Sequence, residues 1–112
     1  MKKFDFDAIK ENGLSILAEN GVECFNKVSL PMFDEKEEKQ VGTATAIYDG
    51  LAVLTAVNAE LFENTPETAK QVIAEKSLLL KPQSVIEIDG KEYKILEVKE
   101  IGLVYVALIQ AA

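Results

Sequence analysis

Apolar side chains recur along this chain first at a helical period and then at a strand period. The change divides it into one front helix and a series of strands. Over residues 5–20, Phe6, Ile9, Gly13, Leu14 and Leu17 fall three and four apart, which predicts a helix with one apolar face. Asp5 or Asp7 stands where a carboxylate can accept from free N–H groups at the helix start. Asn20-Gly21 supplies a stop, because both residues tolerate left-handed backbone. From residue 22 the pattern alternates. Val22, Cys24, Val28 and Leu30 share one face of a predicted strand over 22–30, with Glu23, Lys27 and Ser29 on the other. Pro31 is expected to end it, since proline cannot donate to a ladder.

Residues 41–49 are rich in Thr, Val, Ile and Tyr and read as a strand. Leu51 to Val57 is an apolar run of strand length, read as buried on both faces. Asp49-Gly50 lies between them and suggests a hairpin over 41–57. Residues 58–76 carry two readings. Thr65-Pro66-Glu67 has the N-cap, proline and first-turn acid of a helix start, which predicts a short mid-chain helix. The competing reading is an extended, flexible insert. Leu78-Leu79-Leu80 is predicted as a short strand closed by Pro82. Val85–Ile88 and Lys91–Val98 flank Asp89-Gly90, the dipeptide that a tight hairpin turn needs for positive φ at both central positions. Ile88, Tyr93, Ile95 and Val98 are the core side chains expected from it. Gly102 marks a further turn, and Leu103 to Ile109 a last strand.

One helix followed by strands on tight turns predicts a mainly β domain. The expected form is a small barrel or sandwich of hairpins spanning 22–109, with an N-terminal helix and an insert around 58–76. The 112 residues are the length of one domain.

Composition narrows the function. The net charge is −7 and the pI about 4.6, which disfavours broad contact with nucleic-acid phosphates or an anionic membrane surface. No run of apolar residues is long enough to span a bilayer. Met1-Lys2-Lys3-Phe4-Asp5 has no apolar stretch behind its lysines, so no secretory signal is expected, and the reading is intracellular.

Chemistry is scarce. The chain has no histidine, which removes the commonest general base, the commonest metal ligand and any Ser-His or Cys-His pair. Cys24 is the only cysteine, so no intrachain disulfide forms, and it is expected to serve as a small core hydrophobe. The tract Asp34, Glu35, Glu37, Glu38 lacks the spacing and glycine of a calcium loop and is interrupted by Lys36 and Lys39. It is expected to be a solvated hairpin tip, with an electrostatic contact to a basic partner as the functional alternative. The glycines form no phosphate-binding motif. No catalytic, cofactor-binding or metal-binding residue is assigned. The expectation is a non-enzymatic protein without cofactor that binds other proteins. An enzyme working through carboxylates alone would need clustered acids in a cleft.

The stretch Leu80-Lys81-Pro82, then Val85-Ile86-Glu87-Ile88-Asp89-Gly90-Lys91-Glu92-Tyr93-Lys94-Ile95-Leu96-Glu97-Val98, resembles the closing segment of tailed-phage head–tail joining proteins, also called head-completion or stopper proteins. The likeness covers about 30 residues. It departs where that family often has Gly-Asp before the hairpin, since this chain has Gln83-Ser84. The resemblance implies a structural role in a bacteriophage or prophage: a small barrel that joins portal and adaptor to the tail in a connector ring. It implies protein partners, only non-specific proximity to DNA, and a place in the host cytoplasm during assembly and then the virion neck. Asp34, Glu35, Glu37 and Glu38, with Leu61 and Phe62 in the 58–76 segment, are the candidate interface or lumen-facing residues. The alternative is a generic small β-barrel adaptor unrelated to phage.

Overall fold

The computed structural model describes residues 2–34, 36 and 39–112. Helix α1 (Phe6–Asn20) leads into β1 (Val22–Asp34) and β2 (Lys39–Thr55). Next come β3 (Lys70–Glu75), a 3₁₀ turn at Lys76–Leu78, β4 (Val85–Ile88), β5 (Lys91–Ile101) and β6 (Val104–Ala111). The strands form a closed antiparallel barrel in the order β1-β2-β3-β6-β5-β4. The expected mainly β fold, a small barrel with an N-terminal helix, is therefore present.

The Asp5 carboxylate starts α1 by accepting from the Ala8 N–H at 2.8 Å. The helix buries Ile9, Gly13, Ile16 and Leu17, while Leu14 is 49% exposed, contrary to expectation. The reason is the period itself: Ile9, Gly13, Ile16 and Leu17 fall at i, i+4, i+7 and i+8 on one stripe, and Leu14 lies beside it. Gly21 ends the helix in extended backbone at φ −71°, not in the left-handed region. Its N–H still donates to the Leu17 carbonyl at 2.8 Å.

Two apolar clusters account for the strand pattern. Cys24, Ala52, Val72, Ala74, Leu78, Ile86, Ile88, Tyr93, Ile95, Ala107 and Ile109 fill the barrel interior. Val53, Ile73, Val104, Val106 and Leu108 point outward and pack under Ile9, Ile16 and Leu17 of the helix, with Phe62. The walls beneath α1 are thus apolar on both faces, as the run from residue 51 suggested.

Several local expectations are corrected. Asp49-Gly50 is no turn: β2 runs through it, paired to β1 from Ala52↔Val22 up to Lys39↔Asp34. Gly50 is there for space, since a Cβ would lie 2.7 Å from Ser77 Oγ and 3.1 Å from Leu78 Cγ. Pro31 does not end β1, which continues to Asp34. Past Lys27 the strand has no β4 partner, so the missing N–H costs no ladder bond on that side. The segment after Pro66 forms no helix; Lys70–Glu75 becomes β3, a central wall of the barrel, because its neighbours β2 and β6 offer a complete ladder. Leu78-Leu79-Leu80 is not a strand. It leaves the 3₁₀ turn through Leu79 at φ +48°, with Leu78 and Leu80 buried and Leu79 exposed.

The β4–β5 hairpin forms as expected, with Asp89 at φ +51° and Gly90 at φ +78°. Ile88, Tyr93 and Ile95 are buried, and Val98 packs at the edge of the interior. A register shift between Ile95 and Glu97 inserts Leu96 as an extra residue and turns it toward the outer cluster. The last strand begins at Val104, one residue late, because Gly102 at φ +61° and Leu103 make the turn.

Candidate protein-interaction surface

The barrel is filled by its own side chains, so the features available to a partner lie outside it. The principal one is the far half of the β1–β2 hairpin. Beyond Lys27↔Val85 β1 loses β4, and before Ala52↔Ala74 β2 has no β3. From there the two strands pair only with each other and run out as a two-stranded arm. Val28 to Asp34 extends about 23 Å at ~3.3 Å per residue. The arm stretches the molecule to 51 × 29 × 26 Å and its radius of gyration to 15.3 Å. A compact chain of this length has a radius of about 13 Å.

Register decides what the arm presents. Cys24, Asn26 and Val28 point into the barrel, and the alternation carries Leu30 and Met32 onto the same face. Their partners there are Gly42, Ala44, Ala46 and Tyr48. The interior face of the barrel thus continues along the arm into solvent, with Leu30 38% and Met32 49% exposed. The opposite face carries Ser29, Pro31, Thr43 and Thr45, and Ile47, which is 62% exposed.

At the root of the arm a groove of about 440 Å³ runs beside the open edge of β1, lined by Val28, Leu30, Pro31, Lys81, Pro82 and Val85 among others. Lys27 stands at its mouth, bonded to Glu92 at 3.2 Å in an exposed pair that contributes little stability. Lys81 is exposed and has no acidic partner among the described residues.

Two buried polar groups fasten this frame. Asn26 Nδ2 donates to the Leu78 carbonyl at 2.9 Å and the Leu79 carbonyl at 3.2 Å, tying the arm's root to the 3₁₀ turn. Its Oδ1 is buried without a partner. Gln71 bridges the long connection before β3. Its Nε2 donates to Asn58 Oδ1 at 2.7 Å and Thr55 Oγ1 at 3.1 Å, while the Asn58 N–H donates back to Gln71 Oε1 at 2.9 Å. Asn58 Nδ2 in turn holds the Phe4 carbonyl at 3.0 Å.

The residues singled out from sequence scatter. Asp34 ends β1 at the arm's far end. Glu35, Glu37 and Glu38 lie outside the described residues. Phe62 is 3% exposed in the cluster beneath α1, and Leu61 packs against that cluster, so both are core-side residues and not a free interface. The physical cause is the turn at Asn58, whose carbonyl accepts from the Leu61 and Phe62 N–H groups and folds the segment back onto the barrel. In the sequence Leu30 counts as one more residue on the shared strand face, and Met32 falls beyond the strand that Pro31 is expected to end. Cys24 is buried in the barrel, its Sγ 3.2 Å from the Val22 carbonyl. Burial pushes its thiol from an ordinary 9.0 to about 11, so it stays protonated near neutral pH.

Among the described residues, no group of three or more His, Cys, Asp and Glu side chains is arranged to hold a metal ion, and no helix is long and apolar enough to cross a membrane. Comparison with known protein families and with curated proteins finds no match to this chain.

Proposed function

We propose that the chain is a structural protein of a tailed bacteriophage or prophage, a connector component that joins the portal or adaptor of the head to the tail by binding proteins. The observation that carries this reading is the arm. A solid barrel extends a two-stranded ribbon about 23 Å outward, and one face of that ribbon carries Leu30 and Met32, 38% and 49% exposed. A ribbon of that kind contributes little to the core of its own domain. It suits packing between subunits. The resemblance of residues 80–98 to head–tail joining proteins supports the same reading, as does an acidic surface that repels DNA passing nearby. In this reading the protein carries out no catalysis, works in the host cytoplasm during assembly and ends in the virion neck as part of a ring.

The test is the solution mass of the protein mixed with the portal or adaptor from its own gene cluster, by light scattering. A ring-sized complex that is lost on deleting residues 30–43 is the expected result. A protein that ignores those partners overturns the connector reading and leaves a small β-barrel adaptor of another system.

A further inference from the structure

We infer that the connection between β3 and β4 is a movable plug in the arm-side mouth of the barrel, closed in this structure and able to swing out while the strands stay paired.

Topology puts it there. β3 and β4 stand on opposite sides of the six-strand ring, with β2 and β1 between them one way and β6 and β5 the other. Residues 76–84 must therefore cross an end of the barrel, and they cross it at the root of the arm. Leu78 lies over Gly50 of β2, where an added Cβ would be 3.1 Å from Leu78 Cγ. Ser77 Oγ donates to the Asp49 carbonyl at 3.2 Å. Asn26 of β1 holds the Leu78 and Leu79 carbonyls from the other side. Leu78 and Leu80 are buried with the residues of the barrel interior.

Burial of those two leucines keeps the plug closed. Three features oppose it. Leu79 at φ +48° and Gln83 at φ +73° both hold left-handed backbone without being glycine, a conformation that persists only where the surroundings impose it. The anchor is half satisfied, since Asn26 Oδ1 is buried without a partner. The connection also belongs to no ladder: the Leu79 N–H donates to the Lys76 carbonyl and the Ser84 N–H to the Lys81 carbonyl, both within the connection itself. Segments of this kind open locally, below the free energy of global unfolding. Opening lets Leu79 and Gln83 leave the left-handed region and brings the Asn26 carboxamide to water, and it breaks no strand pairing.

The consequence lies in the groove at the arm's root. Val28 and Leu30 line one side of it, and Lys81, Pro82 and Ser84 the other. Swinging the plug out joins this groove to the barrel interior, so the interior and the arm's face become one apolar surface. The plug is thus a gate between the barrel and the arm. This inference does not rest on the connector reading, and it is tested on the isolated protein.

Cys24 serves as the reporter. It is buried in the interior and pairs with Gly50, the residue beneath Leu78. The experiment follows labelling of native Cys24 by a disulfide reagent, at fixed pH and across low urea concentrations, beside amide exchange of Leu79 and Ser84 by NMR. All three probes are expected to report one opening equilibrium, at least about tenfold more populated than global unfolding and less dependent on urea. Leu79→Asn and Gln83→Asn, both at exposed positions, place a residue that tolerates left-handed backbone and should each slow labelling about threefold. Labelling that matches global unfolding in rate and urea dependence, or that neither variant slows, would overturn the proposal. Binding to the portal or adaptor that survives such a result leaves the connector reading standing.

Discussion

Gly13 on α1 lies directly against Val104 on β6: a Cβ added to the glycine would sit 2.8 Å from Val104 Cγ2 and 2.9 Å from Cγ1. This contact sets how closely the helix approaches the barrel. Val104 is fully buried and β-branched, so its side chain has little freedom to move aside. Gly13→Ala should therefore destabilise the fold by about 1–3 kcal/mol, outweighing the ~1 kcal/mol that alanine contributes to an isolated helix. Thermal unfolding gives the sign; a raised melting temperature would show that the helix can shift without cost.

The Gln71 network makes a second prediction. Gln71→Leu keeps an apolar side chain in the wall but strips the Asn58 N–H and Oδ1 of their partners. Leaving such groups buried and unpaired costs about 1–3 kcal/mol each. The expected result is a lower denaturation midpoint and faster amide exchange over 56–69 than elsewhere. Uniform exchange changes across the barrel would show that the network does not hold that connection locally.

The two Asp-Gly pairs should respond differently to the same substitution. Gly90→Ala forces a side chain into φ +78° with open space around it, so the cost is conformational, about 1–2 kcal/mol, and purely local. Gly50→Ala meets Ser77 Oγ at 2.7 Å and should displace the 3₁₀ turn at Lys76–Leu78. Ser77→Gly should relieve part of the second defect and none of the first, as denaturant titration of the double variants would reveal.

Cys24 links stability to alkaline pH. Its thiol is neutral below about pH 9 in both folded and unfolded chains, so its contribution is fully present there. Between about 9 and 11 the unfolded chain loses the proton while the folded chain keeps it, and stability falls as pH rises through that window. Cys24→Ala should flatten this part of the pH profile. At neutral pH the native thiol should react with a disulfide reagent only as fast as the protein opens; rapid reaction would mean that Cys24 is accessible.

Near-neighbour chemistry was enough to read the start of the helix at Asp5, the tight turn at Asp89-Gly90, the wall buried on both faces around Val53, and the lack of any histidine-based chemistry, because each depends on residues a few positions apart. The rest depended on partners far along the chain. Asp49-Gly50 is extended because β1 runs the whole length of β2 beside it. Residues 70–75 are a strand because β2 and β6 leave a gap that only a strand closes, and a local helix start at Thr65-Pro66 cannot compete with two ladders. Phe62 looked free and is core because Asn58 turns the segment inward. The candidate surface was least legible of all. Leu30 and Met32 alternate like any buried strand, and only the point at which β4 stops pairing with β1 leaves that alternation facing water.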